Sequence, residues 1–217
     1  MAEPQDEQSP SLDDCLKLLK VSREFVERVI CSGDGGENHG VYLRLPVTVL
    51  AAFCRVPEIT SSVEMVSQIP LILEIMSKAT NILEERYKLL YLVSTACEVG
   101  VMALINSGGL RVIAPQMSDL PDGSHAMEVA IKILQLLVSK LSSESMNIER
   151  FFELSLVVAA VARQFAVLHN ALKFEALHLL SAVFCSDYSL LAWCSCHPDD
   201  HDFNILMLFH IHITFPL

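Results

Sequence analysis

The feature that most constrains this chain is an apolar helical run that returns after a fixed step. Residues 69–76 and residues 110–117 form two such runs, and each follows a polar or glycine-rich break. Ile69 and Leu110 are 41 positions apart, and the same step again reaches Phe151, which opens the apolar run FFELSLVVAAVA. A period near forty residues is typical of armadillo and HEAT-type helical repeats. The step therefore predicts an all-α stack of helices, an α-α superhelix, and indicates no chemistry of its own.

Composition agrees with buried helices and excludes one class of partner. Of the 217 residues, 52% are hydrophobic and only 19% are charged, which is a more apolar balance than that of an average soluble domain. The net charge is −11, and no cluster of Lys or Arg forms a stripe that could neutralise phosphates. We therefore expect protein partners and no nucleic acid.

The amino-terminal sequence and the cysteines favour a cytoplasmic protein. The first fourteen residues carry five acids and no base, the opposite of a secretory signal. The apolar runs fall short of the roughly 20 residues that cross a bilayer, so no transmembrane span is expected. An odd number of scattered cysteines without a secretion signal predicts reduced thiols, at positions 15, 31, 54, 97, 185, 194 and 196.

Four regions are predicted along the chain. Residues 1–11 are acidic and rich in Pro, Ser and Gln, as disordered segments are. Residues 12–40 hold one helix, Leu12 to Ile30, and a glycine-rich linker. Residues 41–185 form the armadillo-like helical domain, and residues 186–217 form an atypical apolar tail.

Local signals punctuate the helical domain in its first half. A helix through LAAFCRV is expected to end at Pro57, and Ser61 with Glu64 has the spacing of a capping box. Pro70 should lie near the start of a new helix, because it cannot sit inside one without losing a hydrogen bond. Residues 81–98 are then predicted to form a single helix with Gly100 near its end.

Further signals place the later helices. The pair Gly108-Gly109 and the triplet 121–123, Pro-Asp-Gly, break helices, and Ser124 can cap a helix that runs through Leu141. Two last helices are predicted over about 147–162 and 170–184. No stretch alternates convincingly, so almost no sheet is expected. The predicted core is Leu50, Phe53, Ile72, Ile75, Leu90, Val93, Leu104, Ile113, Ile131, Leu134, Leu154 and Leu177.

Two patterns that could carry chemistry have simpler explanations. The glycines of residues 33–40 are not followed by Gly-Lys-Ser/Thr, so they indicate a solvated linker and not a phosphate-binding loop. The adjacent acids Glu84 and Glu85 point in different directions on a helix, and Arg86 and Lys88 lie beside them. These four residues indicate a charged helix face.

Nucleophilic catalysis has no recognisable signature. There is no Gly-x-Ser-x-Gly sequence, and Cys54 and Cys97 lie in predicted helices, where a thiol is usually a small core group. The chain is therefore not expected to be an enzyme. No catalytic, cofactor-binding or metal-binding residue is assigned.

The tail contains the one alternative to an interaction role. The stretch Cys194-Ser195-Cys196-His197, with His201, has residue types that bind zinc, but a second Cys-x-x-Cys pair is missing. Stoichiometric zinc on the purified protein that is lost when Cys194 and Cys196 are changed to serine would favour a metal- or thiol-dependent activity there over a scaffold role alone. His210 and His212 alternate with apolar residues and have no acidic neighbour, so they are interpreted as incidental.

The middle of the chain resembles the neurochondrin (norbin) family, which is found in animals and plants. Three phrases in order carry this resemblance: Leu50-Ala51-Ala52-Phe53-Cys54 with Pro57-Glu58 and Ile69-Pro70; Leu104-Ile105 with Gly108-Gly109; and Lys173-Phe174-Glu175 with Leu177 and Leu179-Leu180. They span about residues 41 to 184. Members of the family are longer after the third phrase, so the chain resembles a shortened form, with a plant source as one expectation.

The resemblance implies an armadillo-like superhelix and a cytosolic, non-enzymatic scaffold. In animals the family is linked to neurite outgrowth and to the binding of receptor tails and signalling kinases. Because terminal repeats need polar caps, a shortened stack is also expected to expose apolar surface and to self-associate. Residues 186–217 end in the uncharged run ILMLFHIHITFPL, and we hypothesise that this tail is foreign to the fold and packs poorly on it.

Overall fold

The computed structural model describes residues 11–32, 47–78, 83–141, 148–186 and Leu190. Within these ranges every regular element is a helix and none is a strand, which confirms the prediction of an all-α fold. The chain divides into two compact units, residues 1–103 and residues 104–217. No helix in the described ranges is long and apolar enough to cross a membrane.

In the described part of the first unit there are six helices, and a seventh begins there. They are α1 (Leu12–Ser32), α2 (47–53), α3 (Pro57–Thr60), α4 (Val63–Val66), α5 (Ile69–Lys78), α6 (Leu83–Thr95) and α7 (Glu98–Asn106), of which α7 continues into the second unit. Helix α5 packs against both α1 and α6, and α4 packs against α6. The core of this unit therefore lies around α5.

Helix starts between residues 56 and 70 differ in detail from the prediction. Pro57 is the first residue of α3, where its missing N–H is not needed. The cap of α4 is Ser62, whose Oγ accepts a 3.2 Å hydrogen bond from Met65 N, and the prediction of Ser61 as this cap was wrong. Ser61 Oγ instead donates back to the Pro57 carbonyl at 2.7 Å. Pro70 is the second residue of α5, as expected.

The helix predicted over residues 81–98 corresponds to α6 from Leu83 onward, but α6 ends at Thr95 and Glu98 begins α7, so the predicted end was wrong. Residues 81 and 82 lie outside the described residues. Gly100 lies inside α7 and not near the end of α6. A Cβ at Gly100 would lie 2.7 Å from the carbonyl oxygen of Val93. The two helices approach so closely at this point that only glycine fits without a shift of the backbone.

The second unit consists mainly of two helical hairpins. Its elements after α7 are α8 (Gly109–Gln116), a 3-10 turn (Met117–Asp119), α9 (His125–Leu141), α10 (Ile148–Phe165) and α11 (Asn170–Ser186). Helix α8 packs against α9, and α10 packs against α11. Between the hairpins, α8 packs against α10 and α9 packs against α11. Two hairpins stacked with equivalent helices side by side constitute a helical repeat.

Local chemistry explains where these helices begin. Gly108 adopts φ 73° immediately before α8, and Gly123 adopts φ 63° in the turn before α9, a region that favours glycine. Ser124 Oγ accepts a 3.2 Å hydrogen bond from Met127 N and caps α9. The predicted break at residues 121–123, the Ser124 cap and the end of α9 at Leu141 are confirmed.

Ten of the twelve predicted core residues are buried. Phe53 and Leu177 are only half-buried, so their assignment to the core was wrong. Helical periodicity identifies the inward face of a helix, but it does not show how deeply the edges of that face are covered.

A charged residue occupies the core of the first unit. The side chain of Arg86 on α6 is buried, and its Nη1 donates a 2.9 Å hydrogen bond to the carbonyl of Ile75 near the end of α5. Burial lowers the pKa of Arg86 to about 10, against the opposing charge of Glu85. The prediction of one solvated charged face was therefore wrong for Arg86, although Lys88 does pair with Glu84 at the surface, at 2.9 Å.

Candidate functional site

The 41-residue step of the sequence reappears as contacts between equivalent helices. Arg111 Nε on α8 donates to Glu153 Oε1 on α10 at 2.7 Å, and these residues are 42 positions apart. Gln135 Nε2 on α9 donates to both the backbone O and Oε2 of Glu175 on α11 at 2.9 Å, across 40 positions. Polar side chains therefore connect the first helices of the two hairpins, α8 and α10, and also their second helices, α9 and α11.

Helices α8 and α10 run side by side in the same direction. Arg111 in the first half of α8 contacts acids in the first half of α10. Pro115 near the end of α8 lines a groove together with Ala159 in the second half of α10. Parallel neighbours one repeat apart are the arrangement of helical solenoids, in which each repeat contacts the next.

A cleft of about 610 Å³ opens where α8 and α10 begin. It is bordered by the end of α7, the start of α8, the end of α9 and the first turns of α10. Its lining residues are Ile105, Asn106, Ser107, Gly108, Arg111, Val112, Leu141, Glu149, Arg150 and Glu153. A cavity of this size can accommodate several side chains of a bound segment.

Both signs of charge lie at the cleft. Glu153 is the more covered acid, with 13% of its side chain exposed, and it makes the short contact to Arg111. Glu149 is 77% exposed and lies 3.8 Å from Arg111 Nη2. Arg150 adds a second base to the lining. The cleft therefore presents balanced charges at its mouth, although the whole chain carries −11.

A smaller groove of about 90 Å³ lies further along the same helix pair. Ala114, Pro115 and Ser118 line one side, and Leu156, Ala159, Ala160 and Arg163 line the other. Alanine side chains on both helices contribute to this largely apolar groove. The α8–α10 pair thus offers a polar cleft at one end and an apolar groove at the other.

Among the described residues of the first unit, Cys15 and Cys54 are buried, and neither thiol is activated. Burial raises the pKa of Cys15 to about 11, and the charge of Asp14 adds to this effect. Burial also raises the pKa of Cys54 to about 12, with a further contribution from Cys15. A thiol nucleophile needs a lowered pKa, so these residues do not form a thiolate site at neutral pH.

The positions of Cys54 and Cys97 were predicted only approximately from the sequence. Cys54 is buried, as expected, but it follows the last residue of α2. Cys97 is half-buried in the bend between α6 and α7. The mid-helix position expected of both was therefore wrong, although Cys54 is a core thiol.

The described residues contain no group of three or more His, Cys, Asp or Glu side chains that could hold a metal ion. Cys194, Cys196, His197 and His201, on which the metal- or thiol-dependent alternative rests, lie outside the described residues, as do His210, His212 and the glycines of residues 33–40. The zinc measurement proposed from the sequence therefore remains the test of that alternative.

Sequence reasoning assigned no site residue and did not identify the cleft. The signal was present, because Arg111 and Glu153 are separated by almost one period of the repeat and have opposite charges. A search for opposite charges one period apart would have identified the pair. The apolar periodicity of a single helix does not reveal this pair, since it shows only which face of that helix is buried.

The stacked hairpins and the cleft between them define the class: an all-α helical repeat protein with a surface between neighbouring repeats. The family model of neurochondrin matches residues 20–211, so the chain belongs to the neurochondrin family. Neither a curated protein nor a solved structure matches it.

The family match is wider than the resemblance found in the sequence. It begins at residue 20 and ends at residue 211, whereas the resemblance was carried by residues 41 to 184. Most of the tail therefore lies within the matched range. In addition, Leu190 of the tail is completely buried. Both observations weigh against a tail that is foreign to the fold along its whole length.

Proposed function

We propose that this chain is a non-enzymatic protein-interaction scaffold with an armadillo-like helical fold. Membership of the neurochondrin family supports this role. The observation that carries the proposal is the pair of parallel helices α8 and α10, which holds a cleft at one end and an apolar groove at the other. Surfaces between neighbouring repeats are where helical solenoids bind extended segments of other proteins.

The geometry fits a peptide segment better than a small substrate. The cleft contains charged groups of both signs, the amide of Asn106 and the hydroxyl of Ser107, together with apolar side chains such as Val112. Such mixed lining suits the alternating polar and apolar side chains of a protein segment. From the family resemblance, we further propose that the scaffold acts in the cytoplasm and in signalling and, in animals, in neurite outgrowth.

A cleft-filling substitution tests the proposal. Asn106 is exposed and lines the cleft, so Asn106→Trp should block it without disturbing the core. Asp122→Trp is the matched control, because Asp122 is exposed in the turn before α9 and does not line the cleft. Circular dichroism and thermal unfolding should first show that both variants remain folded.

Proximity labelling in cells then compares the two variants with the original chain. We expect a set of proteins that the original chain and Asp122→Trp label equally and that Asn106→Trp labels several-fold less. Identical labelling by all three chains would show that the cleft does not carry the interactions and would overturn the proposal.

A further inference from the structure

Helix α10 carries an apolar stripe that starts at its amino end. Ile148 is 89% exposed and Phe152 is 55% exposed. Leu156 is half-buried and lines the groove between α8 and α10. Residues four apart lie on the same face of a helix, so these three side chains form one continuous surface, the α10 stripe, which runs from the amino end of α10 to the groove. Exposed apolar surfaces of this kind are typical of contact sites.

The end of α11 lies beside the start of this stripe. Residues 166–169 connect α10 to α11, and the two helices pack against each other, so they form an antiparallel hairpin. They have 18 and 17 residues, so Ser186 lies at the same end of the hairpin as Ile148. Leu190, which follows shortly after α11, is completely buried. The chain therefore leaves the described fold at the end of the hairpin where the α10 stripe begins.

A segment further along the chain has the chemistry to cover the stripe. Residues 203–213, FNILMLFHIHI, contain no acid, Lys or Arg. The stripe and this segment each expose apolar area at a cost in free energy, and contact between them removes both areas from water. The neurochondrin family model extends to residue 211, so most of the segment belongs to the matched domain.

Length and tethering favour this segment over a separate molecule. From Leu190 to Phe203 the chain can span up to about 43 Å, at about 3.3 Å per residue. The whole of α10 is only about 27 Å long, at about 1.5 Å per residue. Residues 203–213 would span about 16 Å even as a helix, and the stripe extends over about 12 Å. A segment tethered in this way has an effective concentration in the millimolar range, above that of a second copy or of an outside protein.

We propose that residues 203–213 pack on the α10 stripe of their own chain. The segment covers Ile148 and Phe152 and follows the stripe toward the groove. This contact needs no outside partner, so it stands whether or not the cleft binds other proteins. The hypothesis of a foreign tail predicts the opposite, since it leaves this segment without specific contacts in the fold.

Photo-cross-linking of the full chain tests the contact directly. Phe152→p-benzoylphenylalanine keeps an aromatic ring at an exposed position, so the variant should fold as the original chain does. After irradiation, peptide mass spectrometry should find cross-links from position 152 to residues 203–213. The matched control is the same substitution at Phe174, which is 73% exposed and lies near the start of α11, at the other end of the hairpin. It should give several-fold fewer cross-links to this segment.

Mixing two isotopic forms separates contact within a chain from contact between chains. Equal amounts of heavy and light chains that carry the cross-linker at position 152 are mixed at low micromolar concentration and irradiated. We expect heavy-to-heavy and light-to-light cross-links only. Heavy-to-light cross-links would support the self-association expected from the sequence and would overturn the proposal.

Hydrogen exchange gives a second readout in chains without the cross-linker. The amides of residues 203–213 should exchange more slowly than those of an unstructured chain, and Phe152→Ser should raise their exchange rate several-fold. Phe174→Ser is the control and should leave that rate unchanged. Three further results would overturn the proposal: cross-links from position 152 that miss residues 203–213, unprotected exchange of this segment in the original chain, or equal effects of the two serine variants.

Discussion

Arg111 on α8 donates from Nε to Oε1 of Glu153 on α10 across 2.7 Å, although 42 residues separate them in the chain. The ion pair connects two helices that begin successive hairpins of the second unit. The step of about 41 residues is therefore both a property of the sequence and the spacing between neighbours in the fold. A surface built in this way extends along the equivalent helices, and it provides the cleft on which the proposed function rests.

Leu134 lies at the centre of α9 and is completely buried. We expect Leu134→Ala to cost about 2–5 kcal/mol of unfolding free energy, since a cavity is added to the lost transfer energy. Denaturant unfolding measures this cost. Phe174→Ala, at an exposed position, should change stability by less than about 0.5 kcal/mol. A loss below about 1 kcal/mol for Leu134→Ala would show that this residue does not form part of the core.

Arg86 is a structural residue of the first unit. Arg86→Ala should destabilise the chain by about 2–4 kcal/mol, because it removes buried aliphatic groups and leaves the Ile75 carbonyl without its donor. Lys88→Ala is the control on the same helix, since Lys88 makes only a surface pair with Glu84. Thermal and denaturant unfolding should separate the two variants clearly. Equal effects would mean that the buried guanidinium contributes nothing specific.

The buried thiols should resist modification in the folded chain. We expect iodoacetamide to label the exposed Cys185 in the folded chain at neutral pH, and to label Cys15 and Cys54 only after unfolding. Peptide mass spectrometry follows each cysteine separately. Labelling of Cys15 or Cys54 as fast as Cys185 would contradict their burial.

The same two thiols make stability depend on alkaline pH. Their folded-state pKa values, about 11 and about 12, lie above the ordinary value of 9.0. The unfolded chain therefore ionises first, so the contribution of these thiols is complete below about pH 9 and is lost as the pH rises toward the folded values. The free energy of unfolding should fall between about pH 8.5 and pH 10.5, and it should fall less in a Cys15→Ala, Cys54→Ala variant. An equal slope in both chains would exclude this cause.

Truncation tests the role of the tail. Because Leu190 is completely buried, a chain ending at Cys185 should be about 1.5–3 kcal/mol less stable than one ending at Leu190. Denaturant unfolding of the two shortened chains gives this difference directly. If the chain ending at Cys185 is at least as stable as the chain ending at Leu190 and is more soluble, the hypothesis of a foreign tail holds from residue 186 onward.

The sequence predicted the helical class, the repeat step and most of the later helices because those depend on local signals. Gly108, Gly123 and Ser124 act within one turn of their own positions, and α9 has a regular apolar period. The cap of α4 was assigned to Ser61 in place of Ser62 because two adjacent serines offer the same hydroxyl. Only the backbone conformation around Ser61 and Ser62 determines which of the two serines caps α4.

Other features depend on contacts between distant residues. The break before α7 brings Gly100 close to the Val93 carbonyl, and no Pro or Gly marks it at residues 96 and 97. The burial of Arg86 depends on the position of the Ile75 carbonyl. The cleft likewise exists only where α7, α8, α9 and α10 meet. The apolar pattern of a single helix does not show which other helices it contacts, so the cleft could not be predicted from such patterns.

The most direct test of the repeat account is a double-mutant cycle on Arg111 and Glu153. Arg111→Ala, Glu153→Ala and the double variant should give a coupling free energy of about 0.5–1.5 kcal/mol, because Glu153 is largely covered and the contact is short. The same cycle with Glu149, which is 77% exposed and 3.8 Å away, should give a smaller coupling. Effects for Arg111 and Glu153 that add to within about 0.3 kcal/mol would contradict the direct contact by which these residues join α8 to α10 one repeat apart.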